Sequence, residues 1–560
     1  MTIQNSAESK TPASDCAPSE AAVQVAIAAE GPPSPARGGR GIQTDDWFTM
    51  LWEDGPLLAL VLVFVGVVLS CFGFHDFPLL RAEDVGYLQQ ARGGWFVLNP
   101  YHGPGYPWMI RLVHVTTQLS WFSSAQVVSL LSGALLVVAT YRVGRQTGRG
   151  PALMAALMTA FVPIVLRSSW MLMSDLFATA LVWITFMLLT QDDEPRWKPL
   201  ALAGSVAGLA YLTRSVFGVL LLCPPMLLLA TDSRARWVRP LLSFYGAFGL
   251  VVLPWCVFRW MESGNPFYDH NHLNIAFHMH HAGRGWNAFP TIEEYPSLGA
   301  VIRSDPERFF EVWWEGAQAI PRKLFGMMPV GGITLGVVGG VLWLAEMSVK
   351  KALIWVASGV YAALVAMLWF ESRFVLPLIP LLALFVARGL AVIPAGISLH
   401  GFRWAPRIRL RQPILRVLVA LCLLGVLVPR VDRIEEQLRR GEAPEYRQAV
   451  AWLRRHGVSR ETVVMSAKSH IAFLAGATVQ KYRPNNLQAA ELKDLGPILE
   501  RARVSYFVYD ERYAARQFPQ FETLLQPKGD QPAFLRPVHI IKEPHRLVIY
   551  EYVGNGATAD

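Results

Sequence analysis

Residues 57–111 read LLALVLVFVGVVLSCFGFHDFPLLRAEDVGYLQQARGGWFVLNPYHGPGYPWMIR. The first part, Leu57–Phe74, is an uncharged apolar run of about 18 residues, long enough to cross a hydrocarbon core of about 30 Å. The next part, 75–111, holds two adjacent carboxylates, Glu83 and Asp84, then Tyr87, Arg92, Tyr101, His102 and a GPGYP turn. Carboxylates at the mouth of a membrane-embedded chain are costly to desolvate, so their presence there marks a task. The stretch is read as the catalytic loop of a membrane enzyme.

Composition agrees with a membrane setting. The 560-residue chain is 53% hydrophobic and 17% charged, against about 25% charged in soluble domains. Its 19 Trp and 29 Phe suit aromatic belts at two interfaces. The net charge of +9 does not point to nucleic acid, because Lys and Arg cluster in short loops between apolar runs. The five cysteines, Cys16, Cys71, Cys223, Cys256 and Cys422, form no CxxC pair. Neither a disulfide framework nor a zinc finger follows from them.

The expected fold is a polytopic α-helical membrane protein. The expected spans are 57–74, 124–141, 151–166, 173–190, 199–213, 216–230, 241–260, 325–345, 352–370, 374–395 and 413–429, about 11 transmembrane helices. The stretch 199–230 also reads as one broken helix or a hairpin, and Ile110–Leu119 as an amphipathic helix in the interface. Residues 1–45, rich in Ala, Ser, Pro and Gly, are expected to be a disordered cytoplasmic tail. With the N-terminus inside, the cytoplasmic loops carry Arg142, Arg145 and Arg149; Arg196 and Lys198; Arg234, Arg236 and Arg239; Lys350 and Lys351; and the basic run His400–Arg411. That is the positive-inside pattern. Loops 75–123 and 261–324 and the C-terminus then lie outside. The transmembrane domain is taken as 46–430. Residues 440–553 differ in kind: EYRQAVAWLRRHG has helical spacing, TVVMSA and SYFVYD are strand-like, and VHIIKEPHRLVIYEYV reads as a hairpin. They are expected to form a small extracytoplasmic α/β domain, a lid or docking module.

Several short pieces occur in a telling order. They are Ala82-Glu83-Asp84-Val85-Gly86-Tyr87, Gly105-Tyr106-Pro107, Met173-Ser174-Asp175-Leu176-Phe177, Tyr211-Leu212-Thr213-Arg214 and Arg373-Phe374-Val375-Leu376-Pro377-Leu378-Ile379-Pro380. In this order, over residues 55–395, the chain resembles the GT-C class of lipid-phosphosugar-dependent glycosyltransferases. It most resembles the branch of protein O-mannosyltransferases and lipid A aminoarabinose transferases. The resemblance implies a polyprenyl-phosphate sugar donor and places Tyr87 among the substrate-binding residues. Where that family usually has Asp-Glu, this chain has Glu83-Asp84. Register with Tyr87 gives Glu83 the catalytic position, and residue type gives it to Asp84.

The chemistry fits these residue types. Moving a sugar from a lipid phosphate needs a base for the acceptor hydroxyl, which a carboxylate at the membrane surface supplies. Two adjacent acids can divide the work, one as base and one orienting the acceptor or a divalent cation; no other cofactor is called for. The plain alternative for the pair is a solvated helix cap. Arg214 and Arg373, at outer ends of spans, offer forked donors for a phosphate, or else snorkel to headgroups. Asp175 orients the loop, pairs with Arg167, or helps bind the sugar. His102 and Tyr101 contact sugar or acceptor, or are interfacial aromatics. Asp269, His270, His272, His278, His280 and His281 match no standard metal spacing and are expected to cover the site and touch a phosphate or polar acceptor. No metal ligand is assigned.

The expected function is an integral glycosyltransferase of the cell inner (plasma) membrane. It moves a sugar from a polyprenyl phosphate to a glycan, lipid or protein acceptor on the outer side. The alternatives are a transporter or lipid flippase, or a non-catalytic scaffold.

Overall fold

The computed structural model describes residues 55–72, 84–191, 196–228, 238–280, 289–327, 330–368, 371–392, 425, 443–481, 491–527 and 531–554. All lie in one compact unit, Asp54–Asp560. The 1–45 tail, Glu83, the basic run His400–Arg411 and almost all of the expected span 413–429 lie outside the described residues.

Apolar runs of the sequence form helices in order. Helix α1 is Gly55–Phe72, and α2 (Asp84–Gly93) begins within the acidic pair. Helix α3 (Gly105–Thr117) starts in the GPGYP turn. Helix α4 (Trp121–Gly144) is capped by Ser120, whose Oγ accepts the Ser123 N–H at 3.0 Å. That bond satisfies one of the first-turn donors that every helix leaves without an internal partner. Helices α5 (Arg149–Phe161) and α6 (Pro163–Ser168) divide one expected span. Val162 between them is extended because the ring of Pro163 disfavours helical backbone before it. Helix α7 (Ser174–Thr190) is buried along nearly its whole length. Helix α8 (Trp197–Thr213) stops at Arg214, whose backbone is extended (φ −146°, ψ 115°), and a 3-10 stretch, Ser215–Leu222, leads to α9 (Cys223–Leu228). Then follow α10 (Val238–Ser263), α11 (His272–His280), α12 (Leu298–Ser304), α13 (Pro306–Gly326), α14 (Val330–Ala345) and α15 (Val349–Val365). A 3-10 stretch, Ser372–Leu378, runs into α16 (Ile379–Ala391).

Among the described residues, three stretches are long and apolar enough to cross a membrane: Trp121–Thr147, Val238–Ser263 and Ser372–Ala391. Helices α13 and α14, bent by 116°, make a fourth if taken as one. The sequence expectation of about 11 spans goes further than this. Backbone breaks shorten some of the expected spans. Pro163 divides 151–166, Arg214 interrupts 199–230, and the expected span 325–345 begins in α13 and ends in α14.

Helix α10 displays the membrane setting directly. Leu250, Leu253, Val257 and Trp260 form an exposed outward stripe, while Phe244, Val252 and Trp255 are buried. Such a stripe is stable against acyl chains and a liability in water. On the inner side Gly204 of α8 lies under α10, where an added Cβ would meet the Phe244 carbonyl oxygen at 2.1 Å. Small residues at such crossings let membrane helices touch backbone to backbone.

The C-terminal stretch builds a five-stranded sheet of order β2-β1-β3-β5-β4. Its elements are α17 (Pro444–Arg455), β1 (Val463–Ser466), α18 (His470–Ala475), β2 (Thr478–Lys481), α19 (Leu495–Arg501), β3 (Tyr506–Asp510), α20 (Ala514–Gln517), β4 (Leu535–Ile541) and β5 (Leu547–Tyr552). Strand β1 pairs in parallel with β2 and β3, and β5 pairs antiparallel with β3 and β4. Strand alternation sends Val464, Val508 and Ile549 to the face covered by α17 and α18. It sends Met465, Phe507, Tyr509, Val548 and Tyr550 to the face covered by α19 and α20.

The α8–α10 crossing holds the end of α8, and so Arg214, in place. Gly204→Ala is expected to cost about 1–3 kcal/mol through overpacking. Thermal unfolding in detergent checks it: a clearly lowered midpoint is expected, and an unchanged one removes the close-crossing argument.

Candidate functional site

Three segments far apart in sequence meet at the start of α7. Met173 is extended, and the helix opens with Ser174-Asp175, both buried. The break after α8 turns the Arg214 side chain toward them. Arg214 Nε donates to Ser174 Oγ at 3.1 Å and Nη2 to Asp175 Oδ2 at 2.8 Å. From the 3-10 stretch 372–378, Arg373 Nη1 lies 3.9 Å from the same Asp175 Oδ2, and its Nε lies 3.0 Å from Glu371 Oε2. The Asp175 side chain is 8% exposed, Arg373 12% and Arg214 24%. Phe374 lies beneath both guanidinium groups, at 6.0 Å from Arg214 Cζ and 5.3 Å from Arg373 Cζ. Tyr361 of α15 fixes that segment by donating its hydroxyl to the Phe374 carbonyl at 2.9 Å.

Helix α2 is tied to this cluster. Tyr87 is buried, and its hydroxyl lies 2.8 Å from Ser174 Oγ. Its ring stands 4.6 Å from the His102 ring and edge-on to Tyr106 at 5.3 Å. Tyr106 reaches Ser129 Oγ at 2.9 Å, and Ser129 donates to the Met171 carbonyl at 2.8 Å. The turn after His102 is pressed onto the end of α8: a Cβ at Gly103 would sit 1.9 Å from the Leu212 carbonyl oxygen. Only glycine permits that approach.

The loop between α10 and α11 joins the same floor. The His270 N–H donates to the Pro100 carbonyl at 2.9 Å, and Ser215 Oγ donates to Asp269 Oδ2 at 3.1 Å. Tyr101 meets His270 edge-on at 5.9 Å. Burial, and then the neighbouring His272, hold the His270 pKa below its ordinary value against the pull of Asp269 and Glu293. At neutral pH this ring is a hydrogen-bonding group and not a cation. His272 Nε2 lies 2.8 Å from the Tyr295 carbonyl, and His280 Nε2 lies 3.1 Å from Ser304 Oγ. Among the described residues no group of three His, Cys, Asp or Glu side chains is placed to share a metal ion.

Residues 101–260 match a family model described as dolichyl-phosphate-mannose-protein mannosyltransferase. No curated protein matches the chain. Among solved structures the fold is similar to ArnT from Cupriavidus metallidurans bound to undecaprenyl phosphate, with a TM-score of 0.53 and 12% identity over 92% of this chain and 100% of that one. It is also similar to the Archaeoglobus fulgidus oligosaccharyltransferase in the apo form, with a TM-score of 0.53 and 15% identity over 83% of this chain and 70% of that one. The fold is thus similar to that of these two membrane transferases, and residues 101–260 are similar to the mannosyltransferase family.

The similarity agrees with the expected multi-pass helical membrane fold. The sequence-expected residues Tyr87, His102, Asp175, Arg214 and Arg373 fall into one connected region. Of the two expected acids, Glu83 lies outside the described residues, and Asp84 opens α2 without a described side chain. Asp175 takes Arg214 and Arg373 as partners. The Arg167 that adjoins it in sequence donates from Nε to Met171 Sδ at 3.2 Å instead. Sequence reasoning assigned nothing to Ser174, Tyr361 or Glu371. Ser174 and Glu371 stood within quoted motifs or turns beside charged residues, which was their one signal. Tyr361 sits inside an apolar run, and no sequence signal separates it from an interfacial aromatic.

Asp175 offsets the charge of Arg214 and, together with Glu371, that of Arg373, so losing its charge weakens the compensation of both. Asp175→Asn is expected to lower the stability of the ligand-free protein by about 1–3 kcal/mol, below the full cost of breaking a buried pair because Arg214 is partly solvated. Added polyprenyl phosphate should restore the unfolding midpoint. A variant as stable as the parent without lipid shows that Asp175 does not hold the pair.

Proposed function

We propose that the enzyme transfers one sugar from a polyprenyl-phosphate donor to an acceptor hydroxyl on the extracytoplasmic side of the inner membrane. In this reading the N-terminus is cytoplasmic and the C-terminal sheet domain is outside. One observation carries the proposal: two guanidinium groups converge on a single carboxylate oxygen, and Tyr361 links their segment to a small apolar cleft. The cleft is lined by Val182, Phe186, Phe217, Leu220, Tyr361 and Leu378. Tyr361 belongs to both, since its hydroxyl holds the Arg373–Phe374 segment. A polyprenyl phosphate has the same two parts, an anionic head and a branched apolar chain. Its phosphate oxygens match the fork geometry of arginine. Undecaprenyl phosphate is the molecule bound in the ArnT structure, and dolichol-phosphate accompanies an inhibitory peptide in a structure of the archaeal oligosaccharyltransferase AglB.

The chemistry is a single displacement. A carboxylate of the Glu83–Asp84 pair takes the acceptor hydroxyl proton, and the acceptor oxygen attacks the anomeric carbon. The bond from that carbon to the phosphate oxygen breaks. Its electron pair leaves on the phosphate, whose charge Arg214 and Arg373 stabilise. Attack opposite the leaving phosphate inverts the anomeric centre. Asp175 keeps both arginines aimed at the phosphate, and Tyr87 and His102 form the wall between base and donor. The sugar and the acceptor class, whether glycan, lipid or protein, are set by contacts outside this core.

The purified protein, incubated with labelled polyprenyl-phosphate sugar and membrane extract as acceptor source, should transfer label. Glu83→Gln with Asp84→Asn should reduce turnover by about 10²–10⁴-fold, the usual range for a positioned base. Arg373→Lys keeps a charge but loses the fork, and should raise the donor KM by about tenfold, the scale of one charge-assisted hydrogen bond. Unchanged turnover in the double variant would remove the assigned base. An unchanged donor KM in Arg373→Lys would remove the phosphate grip.

A further inference from the structure

We propose that Phe473 of the C-terminal sheet domain is a positioning residue for the reaction, wedged against α2 so that the sheet domain fixes the helix carrying the candidate base. The inference rests on the Glu83–Asp84 pair being that base, and it gives the sheet domain a task that needs no catalytic group of its own.

Helix α18 is built to present one side chain. Ile471, Ala472 and Ala475 are buried in the core of the sheet domain. Phe473 leaves that core and packs against the membrane-domain cluster that contains Tyr87, Leu88 and Ala91 of α2. Its ring centroid lies 5.9 Å from Arg92 Cζ, in the last turn of α2. The presenting helix is firmly held. Arg454 of α17 donates to the Leu474 carbonyl from Nε at 3.0 Å and from Nη2 at 2.7 Å. Gly476, at φ +87°, closes the helix by donating its N–H to the Phe473 carbonyl at 3.1 Å.

Helix α2 needs such a support. It has 10 residues, and isolated helices under about 12 residues are marginal in water. Tyr87 pins its middle to Ser174, beside the arginine cluster. Phe473 stops its far end. With both contacts in place the start of the helix, at Asp84, is held from two sides. The attraction between Arg92 and the ring is only part of the contact. Arg460 of the sheet domain also faces Arg92, and burial followed by that like charge lowers the Arg92 pKa. The repulsion offsets some of the cation–π attraction, so the ring acts chiefly as an apolar stop.

The test uses the full chain in detergent with Phe473→Ala and Phe473→Tyr, read by amide hydrogen exchange and by transfer from labelled polyprenyl-phosphate sugar. In Phe473→Ala, exchange in peptides covering 84–93 should rise by about tenfold, while β1 and β3 keep parental protection. At saturating donor, kcat should fall by about 10- to 100-fold, the cost of a displaced reacting group, with donor KM unchanged. Phe473→Tyr, which keeps the ring, should match the parent in both readouts. If β1 and β3 also lose protection, Phe473→Leu replaces the alanine variant with the same expected direction. Parental exchange at 84–93, or a raised donor KM with parental kcat, overturns the proposal. Faster exchange at 84–93 in an enzyme whose parent transfers no sugar would leave the brace standing and reject the reaction.

Discussion

A carboxylate with two arginines at the head of α7 is the constraint on which the rest of the membrane domain depends. Asp175 is almost fully buried, and a carboxylate taken out of water must be compensated by charge and hydrogen bonds. Arg214 and Arg373 supply that compensation, and each is delivered by a backbone break. Arg214 follows the end of α8, where the chain becomes extended, and Arg373 sits in a 3-10 stretch ahead of α16. Unbroken helices would carry both side chains along the bilayer instead of turning them toward one point. The interruptions that shorten the spans are therefore the features that assemble the site.

The packing around this cluster serves to keep it fixed. The α8–α10 contact through Gly204 sets where α8 ends. The Gly103 turn rests on the Leu212 carbonyl just before Arg214, and so ties the loop between α2 and α3 to the same helix end. Tyr87 closes the circuit from α2 to Ser174, next to Asp175. The proposed base loop and the proposed phosphate grip thus share a small set of supports. A displaced support is felt at the chemistry, because reacting groups must keep their geometry closely.

Much of this was legible in the sequence because charges in an apolar chain are rare and so carry information. Asp175, Arg214 and Arg373 stood out at span ends, and Tyr87 and His102 stood out by their place after the first run. The partner of Asp175 was not legible. Arg167 is nearer in sequence, but pairing depends on which helix ends meet in space. Where the expected spans are interrupted was not legible for a related reason. Hydropathy reports apolar length and does not register a proline such as Pro163 or an extended residue such as Arg214 within it. The short β-branched and aromatic runs at Val463–Ser466 and Tyr506–Asp510 were legible as strands, since those side chains favour extended backbone. The use of Phe473 outside its own domain core had no such signal.

The most direct measurement is the position of the phosphorus atom in a structure of the protein with bound polyprenyl phosphate. The phosphate is predicted within hydrogen-bonding distance of both Arg214 and Arg373. A phosphate held elsewhere, with both arginines still closed on Asp175, would contradict the assignment of this cluster as the donor site.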